Sequence, residues 1–137
     1  MIRPQGWERR LSELIANWRS LPFAWGSHDC GTAALAAYEA VMQRRHPRPD
    51  SWTNEWEAGR LVHAHTLPGL ADRWFGEGVD GWKAARRGDV VLIGSERQGR
   101  GRVALAVCIG AQVACPGEAG LEFESLQYGI RTWRVGD

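Results

Sequence analysis

Apolar side chains first recur at helical spacing. In WERRLSELIANWRS, Trp7, Leu11, Leu14, Ile15 and Trp18 share one face and Arg and Glu take the other. This predicts an amphipathic helix from about Trp7 to Arg19, stopped by Ser20-Leu21-Pro22. CGTAALAAYEAVMQRR has the Ala-rich composition of a good helix, which predicts a central buried helix with Asp29 as its N-cap. Its small residues Gly31, Ala33, Ala34, Ala36 and Ala37 allow close packing on a sheet. HPRPD breaks that helix. SWTNEWEAGRLVHAH, capped near Ser51 or Thr53, and PGLADRWFGE predict two shorter helices, and GEGVDGW predicts a loop. From there the period changes. GDVVLIG, RVALAVCIG, AQVACP, LEFESL and RTWRV are short apolar or alternating runs between Gly, Pro and charged turns, and predict antiparallel strands.

Helices first and a strand meander after is an α+β arrangement. The expected organisation is a single domain over residues 1–137, mainly helical through residue 80 and β from residue 81. Gly76–Gly81 is too short for a domain linker, and no internal repeat or low-complexity segment is visible.

Composition changes this picture little. A net charge of +1 and 24% charged residues fit an ordinary globular chain and speak against a nucleic-acid surface. Of the 17 basic residues, all but Lys83 are Arg, a bias that either bidentate contacts or high-GC codon usage accounts for. Eight Trp is a high count and places some of the rings at partner surfaces. Three Cys at irregular spacing make no disulfide framework and fit a reducing compartment. No apolar run reaches membrane-span length, so no export signal and no membrane insertion are expected.

The chemistry centres on PFAWGSHDCG. A Cys at the first turn of a helix lies near unpaired N–H groups and the positive end of the dipole, which favours thiolate and offers an oxyanion hole. Cys30 is therefore a candidate nucleophile position, active or ancestral; the alternative is a small buried residue that packs well. Trp25 is expected to wall one side of the cleft, and Gly26 to let the loop approach closely. Asp29 serves either as the helix cap or as a group that orients substrate amines. His28, two residues before the thiol, reaches it only if the turn folds back. His63 and His65 point to different helix faces and complete no metal set, His46 is expected to be solvated, and Cys108 and Cys115 to be fillers on neighbouring strands. Asp89 is expected to stabilise the loop before its strand. Arg97, Arg100 and Arg102 flank a Gly-rich hairpin tip, either a solvated turn or a docking surface for an acidic neighbour.

FAWGSHDCGTAALAAY, ARRGDVVLIG and ALAVCIG, in that order, resemble the papain-like cell-wall cysteine endopeptidases of the NlpC type. HDC, GDVVL, PGEAGL and the closing WRV resemble more closely a group of short phage proteins encoded among tail genes. The resemblance covers nearly the whole chain and implies a papain-like fold with the Cys30 helix packed on an antiparallel sheet. It also implies a catalytic His and a polar orienting residue on successive strands. Alignment puts Ala104 and Ala114 there, and no His follows His65. A methyl group cannot move a proton. The resemblance therefore implies a tail-tip or baseplate structural protein on a degenerate peptidase fold, assembled in the bacterial cytoplasm with other tail proteins and needing no cofactor or metal. The alternative is an active peptidoglycan endopeptidase with Cys30 as nucleophile and His28, or a neighbouring subunit's His, as base. An adaptor that binds peptidoglycan without cutting it is a third reading.

Overall fold

The computed structural model describes residues 1–94 and 102–137. Helix α1 spans Trp7–Trp18 and buries Leu11, Ile15 and Trp18, one face of a 3.6-residue repeat. Helix α2, Cys30–Met42, buries Gly31, Ala33, Ala34, Leu35, Ala37, Val41 and Met42. It starts on a capping box in which Asp29 accepts from the Thr32 N–H at 2.9 Å and the Asp29 N–H reaches the Thr32 hydroxyl at 2.8 Å. Helix α3, Glu55–His65, is capped by Asn54 and not by Ser51 or Thr53. Thr53 still takes part, because its N–H donates to Glu57 at 2.8 Å and closes the turn from outside. Helix α4, Leu67–Phe75, begins on Thr66 and buries Leu70, Ala71 and Trp74.

The strands are β1 (Val79–Asp80), β2 (Val90–Gly94), β3 (Val103–Cys108), β4 (Gln112–Gly117), β5 (Gly120–Ser125) and β6 (Gly129–Trp133). They form one antiparallel sheet in the order β1-β6-β2-β3-β4-β5. The architecture is thus α+β, four helices with a six-stranded antiparallel sheet. Two features depart from a simple meander. The final strand leaves the β5 edge and returns to the far side of β2, and the expected loop GEGVDGW contributes β1, which pairs with β6. Two residues are too few to show a strand period, so only their pairing reveals them.

Both sheet faces are buried. Val90, Leu92, Leu105, Val107, Ala114 and Trp133 belong to the core shared with the helices. Val91, Ile93, Ala104, Ala106, Cys108, Val113 and Cys115 form a second cluster with Leu126, against which Trp82 and Ala85 pack. Burial on both sides explains why GDVVLIG and RVALAVCIG are continuous apolar runs and do not alternate.

Asp89 does more than steady a loop. It is fully buried and accepts from the Arg3 guanidinium at 2.9 Å, the Val135 N–H at 3.0 Å and the Arg86 N–H at 2.9 Å. Arg3 in turn donates to the carbonyls of Val135 at 2.7 Å and Arg87 at 2.6 Å, with its guanidinium 4.3 Å from the centre of the Trp7 ring. This clasp joins the N-terminal arm, the start of β2 and the C-terminal segment. Removing one partner of a buried pair strands the other charge, so Asp89→Ala is expected to cost about 3–5 kcal/mol in urea unfolding. Arg9→Ala, which breaks an exposed pair with Glu13, should leave the urea midpoint unchanged. Equal effects from the two substitutions would contradict this assignment.

Candidate functional site

Asp29 organises the neighbourhood of Cys30. One carboxylate oxygen holds the first turn of α2 through Thr32. The other accepts from the Gly26 N–H at 2.8 Å and from the Trp52 indole at 2.7 Å. Loop 24–28 is drawn tight, with the Ala24 N–H donating to the His28 carbonyl at 3.0 Å and the His28 N–H to the Ala24 carbonyl at 2.8 Å. Gly26 has φ of +83°, and a Cβ there would lie 2.8 Å from the Thr53 Cα, so this position requires glycine twice over. With both oxygens of Asp29 engaged by the protein and the residue 2% exposed, its geometry is that of a cap and tether.

Trp52 lies directly over the start of α2. A Cβ on Gly31 would meet its six-membered ring at 2.9 Å, and the indole stacks on Trp74 at 5.5 Å and 11°. Trp25, expected as the wall of the cleft, turns instead to Phe23 in an edge-to-face pair at 4.9 Å and remains 43% exposed. Trp52 carries no signal of its own in the sequence. The glycine immediately after Cys30, in a helix made otherwise of side chains, was the available sign that something bulky approaches there.

Cys30 is half-buried, with its sulfur turned inward against both apolar clusters. The position follows from a gap in the sheet. Strands β3 and β4 pair only at Val107↔Ala114 and Cys108↔Val113, although β3 continues back to Val103 beside β2 and β4 continues to Gly117 beside β5. Continued pairing would set Leu105 opposite Pro116, which has no N–H to donate. The Leu105 N–H lies near enough to the Cys30 thiol to oppose the rise of its pKa.

The electrostatics reverse the expected thiolate. Burial pushes the Cys30 thiol from 9.0 up to about 11; the Leu105, Gly31 and Cys30 N–H groups oppose the rise and the Asp29 carboxylate adds to it. The helix dipole is present, but the cap that completes it brings a negative charge beside the sulfur. Cys115, on the second cluster, is raised further by the same cause, burial.

No imidazole is shown serving this sulfur. His28 is 8% exposed and packs edge-on against Trp18 at 5.8 Å; burial holds its pKa below the usual value, with Asp29 opposing. Among the described residues its Nε2 is the buried side-chain nitrogen or oxygen without a hydrogen-bond partner. His46 is not solvated: it is 7% exposed, packs on Tyr38 and Phe75, accepts from the Arg48 N–H at Nδ1 and bonds the Trp74 carbonyl through Nε2 at 2.7 Å. That accepting Nδ1 assigns the proton to Nε2. His63 and His65 lie in the last turn of α3. Among the described residues no group of three metal-ligating side chains comes together. Ala104 and Ala114 belong to opposite faces of the sheet. Cys108 and Cys115 are free and buried; Arg102 is exposed, and Arg97 and Arg100 lie outside the described residues.

No curated protein matches the chain. A family assignment is nonetheless clear, since the match runs over residues 2–135: the chain belongs to the family described as a domain of unknown function, DUF6950.

Proposed function

We propose that this protein is a structural or assembly subunit of a phage tail tip or baseplate, built on a degenerate papain-like fold of the NlpC type and without peptidase activity. One observation carries the inactivity: Cys30 packs against both apolar clusters, where burial raises its thiol, while the neighbouring His28 ring is itself buried against Trp18. A cysteine peptidase needs the opposite arrangement, a basic ring that takes the thiol proton and returns it to the leaving amine. The helical start, the Cys at the tip of the buried helix and the antiparallel sheet behind it support the fold reading. The assignment to a tail rests on the resemblance of HDC, GDVVL, PGEAGL and WRV to tail-encoded proteins. Exposed Trp56, Tyr128 and Ile130 support contacts with other tail proteins, since large apolar groups left in water are enriched at interfaces. In this reading the protein assembles in the bacterial cytoplasm and remains in the virion.

At neutral pH the raised thiol should hold roughly a hundredfold less thiolate than an unperturbed one. Iodoacetamide labelling of Cys30, mapped by mass spectrometry on the folded protein, should be slower by that factor. Its rate should climb about tenfold per pH unit towards pH 11. Labelling that is fast and flat near pH 7 would refute the buried-thiol assignment. Purified protein should release no stem peptides from peptidoglycan, and phage carrying Cys30→Ala should still infect. Release by the wild type that is lost in Cys30→Ala would establish the endopeptidase instead.

The same shift fixes a pH dependence. The folded-state pKa lies above the unfolded one, so the stability it reflects is complete below pH 9.0 and is lost as pH rises towards 11. Chemical unfolding across that window should show a decline that is shallower in Cys30→Ala, and identical slopes would count against the assignment.

A further inference from the structure

Beside α1 and away from Cys30, a groove of ≈ 420 Å³ runs between the helix and the β3–β4 turn. Leu11 and Ile15 form its floor, Ile109 one wall, and Arg19 and Arg87 stand at its rim. We infer that this groove docks an acidic amphipathic helix of a partner protein, with an aliphatic side chain over Ile15 and Ile109 and carboxylates on Arg19 and Arg87. The inference is independent of the reading of the Cys30 site.

Charge is the argument for this occupant. Arg3, Arg48, Arg73 and Arg131 each hold a carboxylate within the chain. Arg19 and Arg87 pair with none among the described residues, yet both are positioned. The Arg19 guanidinium sits 6.0 Å from the Phe123 ring centre. Arg87 reaches the Ser12 hydroxyl at 3.5 Å, and its carbonyl is pinned by the Arg3 clasp at 2.6 Å. Two guanidinia that pair with no carboxylate among the described residues, beside an apolar floor, complement a ligand that is acidic at its ends and aliphatic between them.

The spacing suits a helix lying along α1. Ser12, which Arg87 touches, and Arg19, the C-cap of α1, are seven residues apart, a rise of about 10 Å at 1.5 Å per residue. A partner helix lying along α1 presents residues i and i+7 with the same rise, and its i+3 and i+4 side chains fall between them on one face. An apolar floor with two cations among its described lining residues suits carboxylates on such a face better than a phosphate backbone, which needs a longer basic track.

The test uses the full-length protein and a fluorescein-labelled peptide with an Ala/Gln background, Glu at i and i+7 and Leu at i+3 and i+4, followed by fluorescence polarisation. Expected is saturable binding that weakens with salt and is lost when both Glu become Lys. Arg19→Glu and Arg87→Glu, both exposed and checked for folding by circular dichroism, should each weaken binding about tenfold. The double variant should gain affinity for the Lys peptide. No binding at millimolar peptide, equal binding of the Glu and Lys peptides, or insensitivity to both substitutions would overturn the inference. So would displacement of the peptide by a single-stranded oligonucleotide, or self-association of the protein that Arg19→Glu abolishes, since these assign the groove to nucleic acid or to a second copy.

Discussion

The carboxylate of Asp29 is the constraint on which the centre of the molecule depends. It joins three segments that are separate in sequence: loop 24–28 through Gly26, the first turn of α2 through Thr32, and the stretch before α3 through Trp52. Each contact has a charged acceptor, the stronger kind of hydrogen bond. Together they fix where the buried helix begins, and hence where Cys30 meets the sheet. The same charge stands next to the sulfur and adds to the rise produced by burial. A residue that serves so well as a cap thereby works against thiolate formation. Structural order and nucleophile activation are in conflict at this helix tip, and order prevails.

The second constraint is the parting of β3 from β4. Pro116 cannot donate to a neighbouring strand, and the helix tip occupies the space that opens beside Leu105. The Cys30 side chain packs there against both apolar clusters. This is a structural use for a cysteine at the tip of a helix, and it requires no catalysis.

Much of the fold was legible in the sequence because its signals are local. The stripe of Leu11, Ile15 and Trp18, the Ala-rich α2 and the Asp29 cap each occupy a few consecutive turns. Five of the six strands announce themselves as apolar or alternating runs. What was hidden depends on partners distant in sequence. Arg3 meets Asp89 and Val135 across most of the chain, and nothing near Arg3 distinguishes it from any other arginine. His46 between charged residues and prolines looks solvated, yet the carbonyl that buries it belongs to Trp74. The position of β6 beside β2 is a matter of topology, which an apolar run does not encode. The ionisation of Cys30 was misjudged for the same reason: the dipole is a local quantity, whereas desolvation comes from every segment packed around the sulfur.

Helix α3 has no buried residue, and Leu61 is its half-buried anchor to the core. Its outward positions, Trp56 among them, are therefore under little pressure from packing. Such an element opens at low free energy compared with α2, whose release would dismantle the interior. It can also change its surface over generations at small cost to the remainder of the molecule. Packing constrains the cysteine helix most and α3 least.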